Sequence, residues 1–550
     1  MRNRAWAVGL LLVAGRVQAQ DRPVEDEMFG GGGEATTATT AAPPTGTSGP
    51  TPPLPPPLAP LAPSTTTATA AASATGSDSR DALNLSDPKA ATRFSAEVAP
   101  EDPLKIGGQL YWRVTSTGRQ GQYPQNWSLS APALLDVYMD ARPNERVRAF
   151  ALGRMSYDPT LAPNGSSSSS AGAAGATATS GTSAQSGDST TLNLFGQQTQ
   201  TRGPNAVLDQ MWLRFDLLRT VFVTAGKQHA RWGTARFWTP TDYLHLQPRN
   251  PLLPFDARTG TTMLKLHLPW EKRGWNFYAY ALPENVDASQ AVKRIAGAAR
   301  AEVVFGTLEA GAGVFGRSNA KAKFAGDVSF GLWDLDFYGE VAVRNAGDVD
   351  FLHYKGGDSI DCSTAITPAN LADTTSLFRQ FYDQTRGSGW KAQATGGVSY
   401  TRQYADKDTF TVGAEYFYNG LGYASPKDYL GLFALSQSMA NPATFFYLGR
   451  QYLAVFATAP SPYSWDNTTF TLSNLMNLTD ESGITRFDYS LTVLTHVRFE
   501  AYGAVHWGQR NGEFRLGFNL PCPDQLQALG RPSTSAPSLF DLGVGLRVAL

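Results

Sequence analysis

An all-β chain that closes into a transmembrane antiparallel β-barrel of about 18 strands, preceded by a disordered linker, is the fold class this sequence predicts. Three observations predict it. The composition is poor in charge (17%) and rich in aromatic side chains (11%), with 53 glycines, a mix that suits a large β-structure. From Lys105 onward, segments of about ten residues alternate apolar and polar side chains. Short and long connections then take turns along the chain, the layout of a barrel with short periplasmic turns and long extracellular loops.

Taken in order, the chain begins MRNRAWAVGLLLVAGRVQAQD. Arg2 and Arg4 precede a short apolar core, and Val17 and Ala19 hold the small-residue positions of a cleavage site. Residues 1–19 therefore read as a Sec-type signal peptide, too short to span a membrane. No cysteine follows the cut after Ala19, which argues against a lipid anchor. Residues 20–104 read as a low-complexity Thr/Ala/Pro-rich disordered linker, since such a stretch buries too little apolar surface to offset its ordering entropy. Its acidic start, VEDEMF at Val24 to Phe29, reads as a solvated terminus, with a docking peptide as the alternative.

Residues 105–550 form the outer-membrane β-barrel of this reading. At the C-terminus Phe540, Leu542, Val544, Leu546, Val548 and Leu550 alternate with Asp541, Gly543, Gly545, Arg547 and Ala549. The same split places Met211, Leu213, Phe215 and Leu217 opposite Gln210, Trp212, Arg214 and Asp216. It recurs with Phe487, Tyr489, Leu491 and Val493 against Arg486, Asp488, Ser490 and Thr492. Past the signal no run of 18 apolar residues occurs, so no transmembrane helix is available. A closed barrel is then the way to pair every backbone group within hydrocarbon. Tyr111, Trp112, Trp270, Trp275, Trp333, Trp390 and Trp507 cluster near strand ends, as interfacial girdles do. The alternation of connections weakens near 460–482, where the periplasmic link looks longer than its extracellular neighbour.

Two loops stand out. The one at 159–205 carries NGSSSSSAGAAGATATSG, flexible filler of a surface insertion. The one at 419–446 predicts a short loop helix, with Ser425 as cap, Pro426 in the first turn, Asp428 near the N-terminus and Asn441-Pro442 as the stop.

Catalytic and cofactor chemistry is not legible. No His-Glu-x-x-His, Gly-x-Ser-x-Gly or Cys-x-x-Cys occurs, so neither an enzyme nor a cofactor is expected. GAGVFG at Gly311 to Gly316 matches a dinucleotide fingerprint but lies in a strand, and reads as small residues easing curvature. Cys362 and Cys522 leave room for one long-range disulfide and no metal site. A net charge of -1 gives no sign of nucleic-acid binding.

The most distinctive stretch is KQHARWGTARFWTPTDYL, residues 227–244. It follows one good strand and precedes another, so it begins a long loop at the outer end of the barrel. Folded into the lumen, the loop 227–258 would act as a constriction, with Lys227, Arg231, Arg236, Arg249 and Arg258 facing the transport path. Guanidinium forks suit carboxylate or phosphate, and Trp232 and Trp238 offer flat faces for sugar or aromatic groups. The competing expectation pins the loop to the wall, with Arg231 and Arg236 paired to Asp242 or Asp256 and the indoles buried; a rigid constriction is compatible with both. Lumen-lining candidates on polar strand faces are Arg214, Asp216, Glu340, Arg344, Arg486, Asp488, Arg498 and Glu500. Their mixed signs leave any anion preference to the loop.

Gly226-Lys227-Gln228, Trp232-Gly233, Arg236 and Pro254-Phe255-Asp256-Ala257-Arg258 resemble a segment of alginate-export-type porins, large outer-membrane barrels. FWTPTD is also similar to a stretch of other porin-like families. The resemblance covers about 35 residues and implies a porin-like channel. The expected function is passive diffusion of small or chain-like anionic or saccharide solutes across a Gram-negative outer membrane. The alternative is an occluded structural or adhesive barrel, tethered to the periplasm or cell wall through its linker. Membrane lipid and solute are the expected partners, and nucleic acid is not.

Overall fold

Alternation becomes strand where one face can meet lipid and the other the bore. The computed structural model describes residues 103–160 and 204–549, apart from 246–247, 254–255, 257, 285–293, 319, 357–378, 405–407, 430, 433–443, 520–521, 523, 525–526 and 528–533. The signal peptide, the linker and the filler of the 159–205 loop lie outside the described residues.

Eighteen antiparallel strands of eight to sixteen residues follow one another round a single closed sheet. Closure is made by the first strand, Leu104–Arg119, which pairs with Ala133–Asn144 on one side and with the last strand, Ser538–Ala549, on the other. No edge is left, so no backbone row faces hydrocarbon unpaired. A ten-residue strand such as Thr261–Trp270, rising about 3.4 Å per residue and tilted about 40°, spans about 25 Å.

The faces separate as the alternation requires. Leu542 and Val544 on the last strand are each 49% exposed and point outward, whereas Asp541 and Arg547 are buried inside. Leu110, Trp112, Leu213, Leu264, Val341, Phe487 and Val505 continue the exposed apolar surface around the wall. Trp112, Trp270, Trp333 and Trp390 are exposed as girdle residues should be. Tyr111 is a correction: strand phase turns it inward, where it is buried and donates to Glu500 at 3.0 Å. Trp275 and Trp507 are half-buried.

Connections on the side of the chain's entry are tight. Leu218 and Arg219 at φ 55° and 56°, and Gly306 at 64°, reverse the chain in left-handed turns. The irregularity expected near 460–482 is present: 461–467 joins two strands on the entry side, while 478–481 is the short link on the other. In the 419–446 loop a 3-10 turn, Pro426–Asp428, is capped by Ser425, whose hydroxyl accepts from the Lys427 amide. Residues 433–443 of that loop lie outside the described residues. Cys522 is disulfide-bonded; the chain's other cysteine, Cys362, lies outside the described residues.

The glycines of GAGVFG have a packing role. A Cβ at Gly311 would stand 2.5 Å from the Arg300 and Asp327 side chains, and one at Gly313 would stand 2.9 Å from the Trp232 indole. They clear inward space for neighbours on the bore side.

Candidate functional site: a loop across the bore

The fifth barrel strand, Val221–Gln228, releases the chain into a connection that re-enters the wall at the sixth, Thr261–Trp270. Between them the chain reaches the fourteenth strand, Gln451–Pro460, which lies nine steps away in a barrel of eighteen. The loop therefore crosses the bore to the opposite wall. Three kinds of contact hold it there.

The first is a pair of buried wall carboxylates. Glu340, on Leu335–Asn345, accepts the Ala235 amide at 2.7 Å and the Thr241 hydroxyl at 2.6 Å. Glu415, on Thr409–Asn419, accepts three consecutive amides, Arg236 at 2.9 Å, Phe237 at 3.1 Å and Trp238 at 2.8 Å, and the Tyr338 hydroxyl at 3.0 Å. Successive amides converging on one carboxylate form an anion nest. These bonds are what makes two carboxylates tolerable in so buried a place.

The second is aromatic packing. Trp232 (1% exposed) lies against Tyr280 of the near wall, with ring centroids 5.8 Å apart. Trp238 (0%) stacks on Phe417 of the far wall at 5.5 Å and donates its indole N–H to the Phe446 carbonyl at 2.9 Å. Neither indole presents a face to solute.

The third is a line of charge. A bulge opposite Leu152 and Gly153 shifts the phase of the strand Asn205–Leu217, so Leu208 points out and Asp209 points in, fully buried. Arg154 bridges Asp136 and Asp209 at 3.1 and 2.9 Å. Asp209 meets His229 at 3.3 Å, His229 meets His245 at 3.3 Å, and His245 meets Asp242 at 3.0 Å. Arg258 ends the line between Asp242 at 2.9 Å and Asp256 at 2.7 Å. Burial pushes the Asp242 carboxyl up, but His245 and Arg258 beside it prevail and hold it at about 2. Burial and the Arg258 charge push His245 below the ordinary histidine range, against the pull of Asp242. Burial opposes ionisation of Asp256 as well, and Arg258 holds it well below the carboxylate range.

Several expected positions are corrected. Lys227 is on the outer face, paired in register with the exposed Met211, and its ammonium donates to the Leu208 carbonyl at 2.6 Å. Arg231 donates within the loop to the Ala235 carbonyl at 2.7 Å, and the Arg236 guanidinium lies 4.9 Å from the Phe456 ring centroid. It is Arg258, in place of Arg231 or Arg236, that pairs with Asp242 and Asp256. Glu340 faces inward but is consumed in holding the loop. Arg214 is buried over Phe222, Asp216 accepts the Arg219 amide at the adjoining turn, and Arg344 meets Asp348 at 3.5 Å.

Arg486, Asp488, Arg498 and Glu500 do converge. With Arg113, Tyr111 and Tyr502 they line a recess of about 680 Å³, open to solvent, between the far wall and Leu252–Leu253 of the loop. Arg486 pairs with Asp488 and donates to the Leu252 carbonyl at 2.7 Å, which ties loop to recess. Sequence reading missed Glu415, Asp209 and Arg113. The first strand's alternation marks Arg113 as inward, but Glu415 carries no local sign that it receives a loop 178 residues away.

A closed sheet, an apolar outer surface rimmed by tryptophans and a polar interior define an outer-membrane β-barrel, and the chain is one. Its structure is similar to Acinetobacter baumannii OccAB1 (13% identity, 81% of this chain and 96% of that chain, TM-score 0.43). It is also similar to Wzi, an Escherichia coli outer-membrane protein of group 1 capsule assembly described as a carbohydrate-binding β-barrel (10% identity, 84% and 86% covered, TM-score 0.41). A Rhodopseudomonas blastica porin variant matches at 10% identity and TM-score 0.35, with 81% of this chain and 100% of that chain covered. No family model and no curated protein sequence matches. With these TM-scores below 0.5, the fold rests on its own strand register.

Proposed function

We propose that this barrel is a porin-like channel for passive diffusion of small anionic or saccharide solutes, narrowed by the loop between His229 and Gly260. The observation that carries the reading is the loop's span: it is bonded to Asp209 on the near side and to Glu415 on the far side, and leaves a charged recess beside it. Selection then belongs to the guanidiniums and hydroxyls of that recess, since the loop's indoles are buried. The likeness of the 226–258 segment to alginate-export porins supports a channel. It gives a polyuronate no stacking surface, because Trp232 and Trp238 are enclosed.

Single-channel recording of the purified chain in a planar bilayer with a salt gradient tests this. Discrete steps with an anion-shifted reversal potential are expected. The double variant Glu340→Gln, Glu415→Gln should give larger or noisier steps, because an amide side chain cannot accept the loop's amides as a carboxylate does, at about 1–3 kcal/mol for each buried donor left unpaired. A silent, stably inserted barrel would favour the second reading, an occluded structural barrel tethered through residues 20–104. That reading draws on the same span of the loop.

A further inference from the structure

Most charges that line the bore are already spoken for. Arg154, Arg258, Arg300 and Arg547 each pair with a carboxylate at 3.1 Å or less. Arg113 differs. It projects inward from the first strand and is 6% exposed, yet among the described residues no acceptor lies within hydrogen-bond distance of its guanidinium. Its side-chain contact is a flat one, with the guanidinium carbon 3.9 Å from the Tyr502 ring centroid. Arg486 also lies over that ring, at 4.2 Å. Stacking on Tyr502 fixes the plane of the Arg113 fork, and the residue lines the recess.

The same recess holds an unused acceptor. Asp488 receives Arg486 on Oδ1, its side chain is 35% exposed, and no donor reaches Oδ2. Arg113 and Asp488 lie within electrostatic range of each other without a hydrogen bond between them. The Arg113 fork has no protein acceptor among the described residues and lines a recess open to solvent, so an entering carboxylate can take its donors without breaking a protein contact.

We propose that this recess is a binding subsite for a zwitterionic solute of α-amino-acid type, its carboxylate on the Arg113 fork and its ammonium on Asp488 Oδ2. The inference deepens the channel reading and rests on it. A simple anion would satisfy Arg113 but would stand beside the charges of Asp488 and Glu500. A simple cation would meet Arg113, Arg486 and Arg498. A zwitterion completes both open partners and leaves no uncompensated charge.

Isothermal titration calorimetry on the detergent-solubilised full chain tests this independently of conductance, with L-alanine, N-acetyl-L-alanine and L-alanine methyl ester as probes. The expected result is that L-alanine binds about tenfold or more tightly than either capped form. Arg113→Gln should bring alanine and its methyl ester to equal affinity, and Arg113→Lys should restore part of the difference. Asp488→Asn, at a half-exposed position that does not threaten folding, should bring alanine and N-acetylalanine to equal affinity. Equal affinity of those two probes for the unaltered chain would overturn the zwitterion and leave a plain anion site. No heat from any probe, in a chain that still gives conductance steps, would overturn the subsite while sparing the channel. Binding as expected in a chain that gives no steps would sustain the subsite and sink the channel.

Discussion

Gly233 shows how little freedom the loop has at single positions. Its φ is +98°, and a Cβ there would lie 2.3 Å from Glu340 Oε1. Gly233→Ala therefore meets both backbone strain and a carboxylate that cannot retreat without dropping Ala235 and Thr241. A loss of about 1–3 kcal/mol in loop anchoring is expected, read as faster protease cleavage between His229 and Gly260 with the barrel intact. Unchanged cleavage would mean that Glu340 does not hold the loop. The pair Trp232-Gly233 was visible in the sequence as a motif, but not the direction of the indole. That direction depends on Gly313, a residue eighty positions on that makes room for the ring. A residue type announces what chemistry is available; its neighbours across the fold decide whether solute ever meets it.

The crossing loop has its own pH dependence. Asp242 titrates at about 2 in the folded protein, below its ordinary value of 3.8, so the stability it lends is complete above that ordinary value and is lost as pH falls through about 2. The shift corresponds to about 2 kcal/mol for this enclosed carboxyl. His245 acts in the same sense: its folded value lies below 6.5, so acid charges it at a cost to the fold. Lowering pH from 7 toward 2 should thus loosen the latch around Arg258, first through His245 and then through Asp242 below 3.8, with current fluctuations rising in bilayer recordings. A conductance indifferent to pH over that span would place the loop's hold elsewhere, in Glu415 and the aromatic contacts. A basic, aromatic, non-periodic stretch between two strands was legible as a loop turned inward. Which arginine pairs with which aspartate was not, because Arg258 reaches Asp242 only after the chain has folded back on itself.

Across the barrel, position is governed by which side of the wall a residue faces. Leu542 and Arg547 share one strand, yet the first meets lipid and the second pairs with Glu500 at 3.0 Å inside. Leu542→Arg should cost about 2–4 kcal/mol in the bilayer, seen as failure of the urea-unfolded chain to insert into lipid vesicles. Insertion as efficient as that of the unaltered chain would contradict the assignment of this face to lipid.

Strand number and most of the alternation of turns and loops were readable from the order of residues, because a two-residue period and a lipid-facing surface are local demands repeated at every strand. Strand phase was readable except where a bulge shifts it, as at Asp209, and at the loop's edge, as at Lys227. Tyr111 is instructive here, since its place near a strand end suggested a girdle while the parity of its own strand, Gln109, Tyr111, Arg113, already turned it inward. The path of the loop across the bore, the two carboxylates that receive it and the open fork of Arg113 were settled only by closure of the sheet. Closure brings together strands far apart in sequence, and contacts of that range leave no periodic trace in the chain.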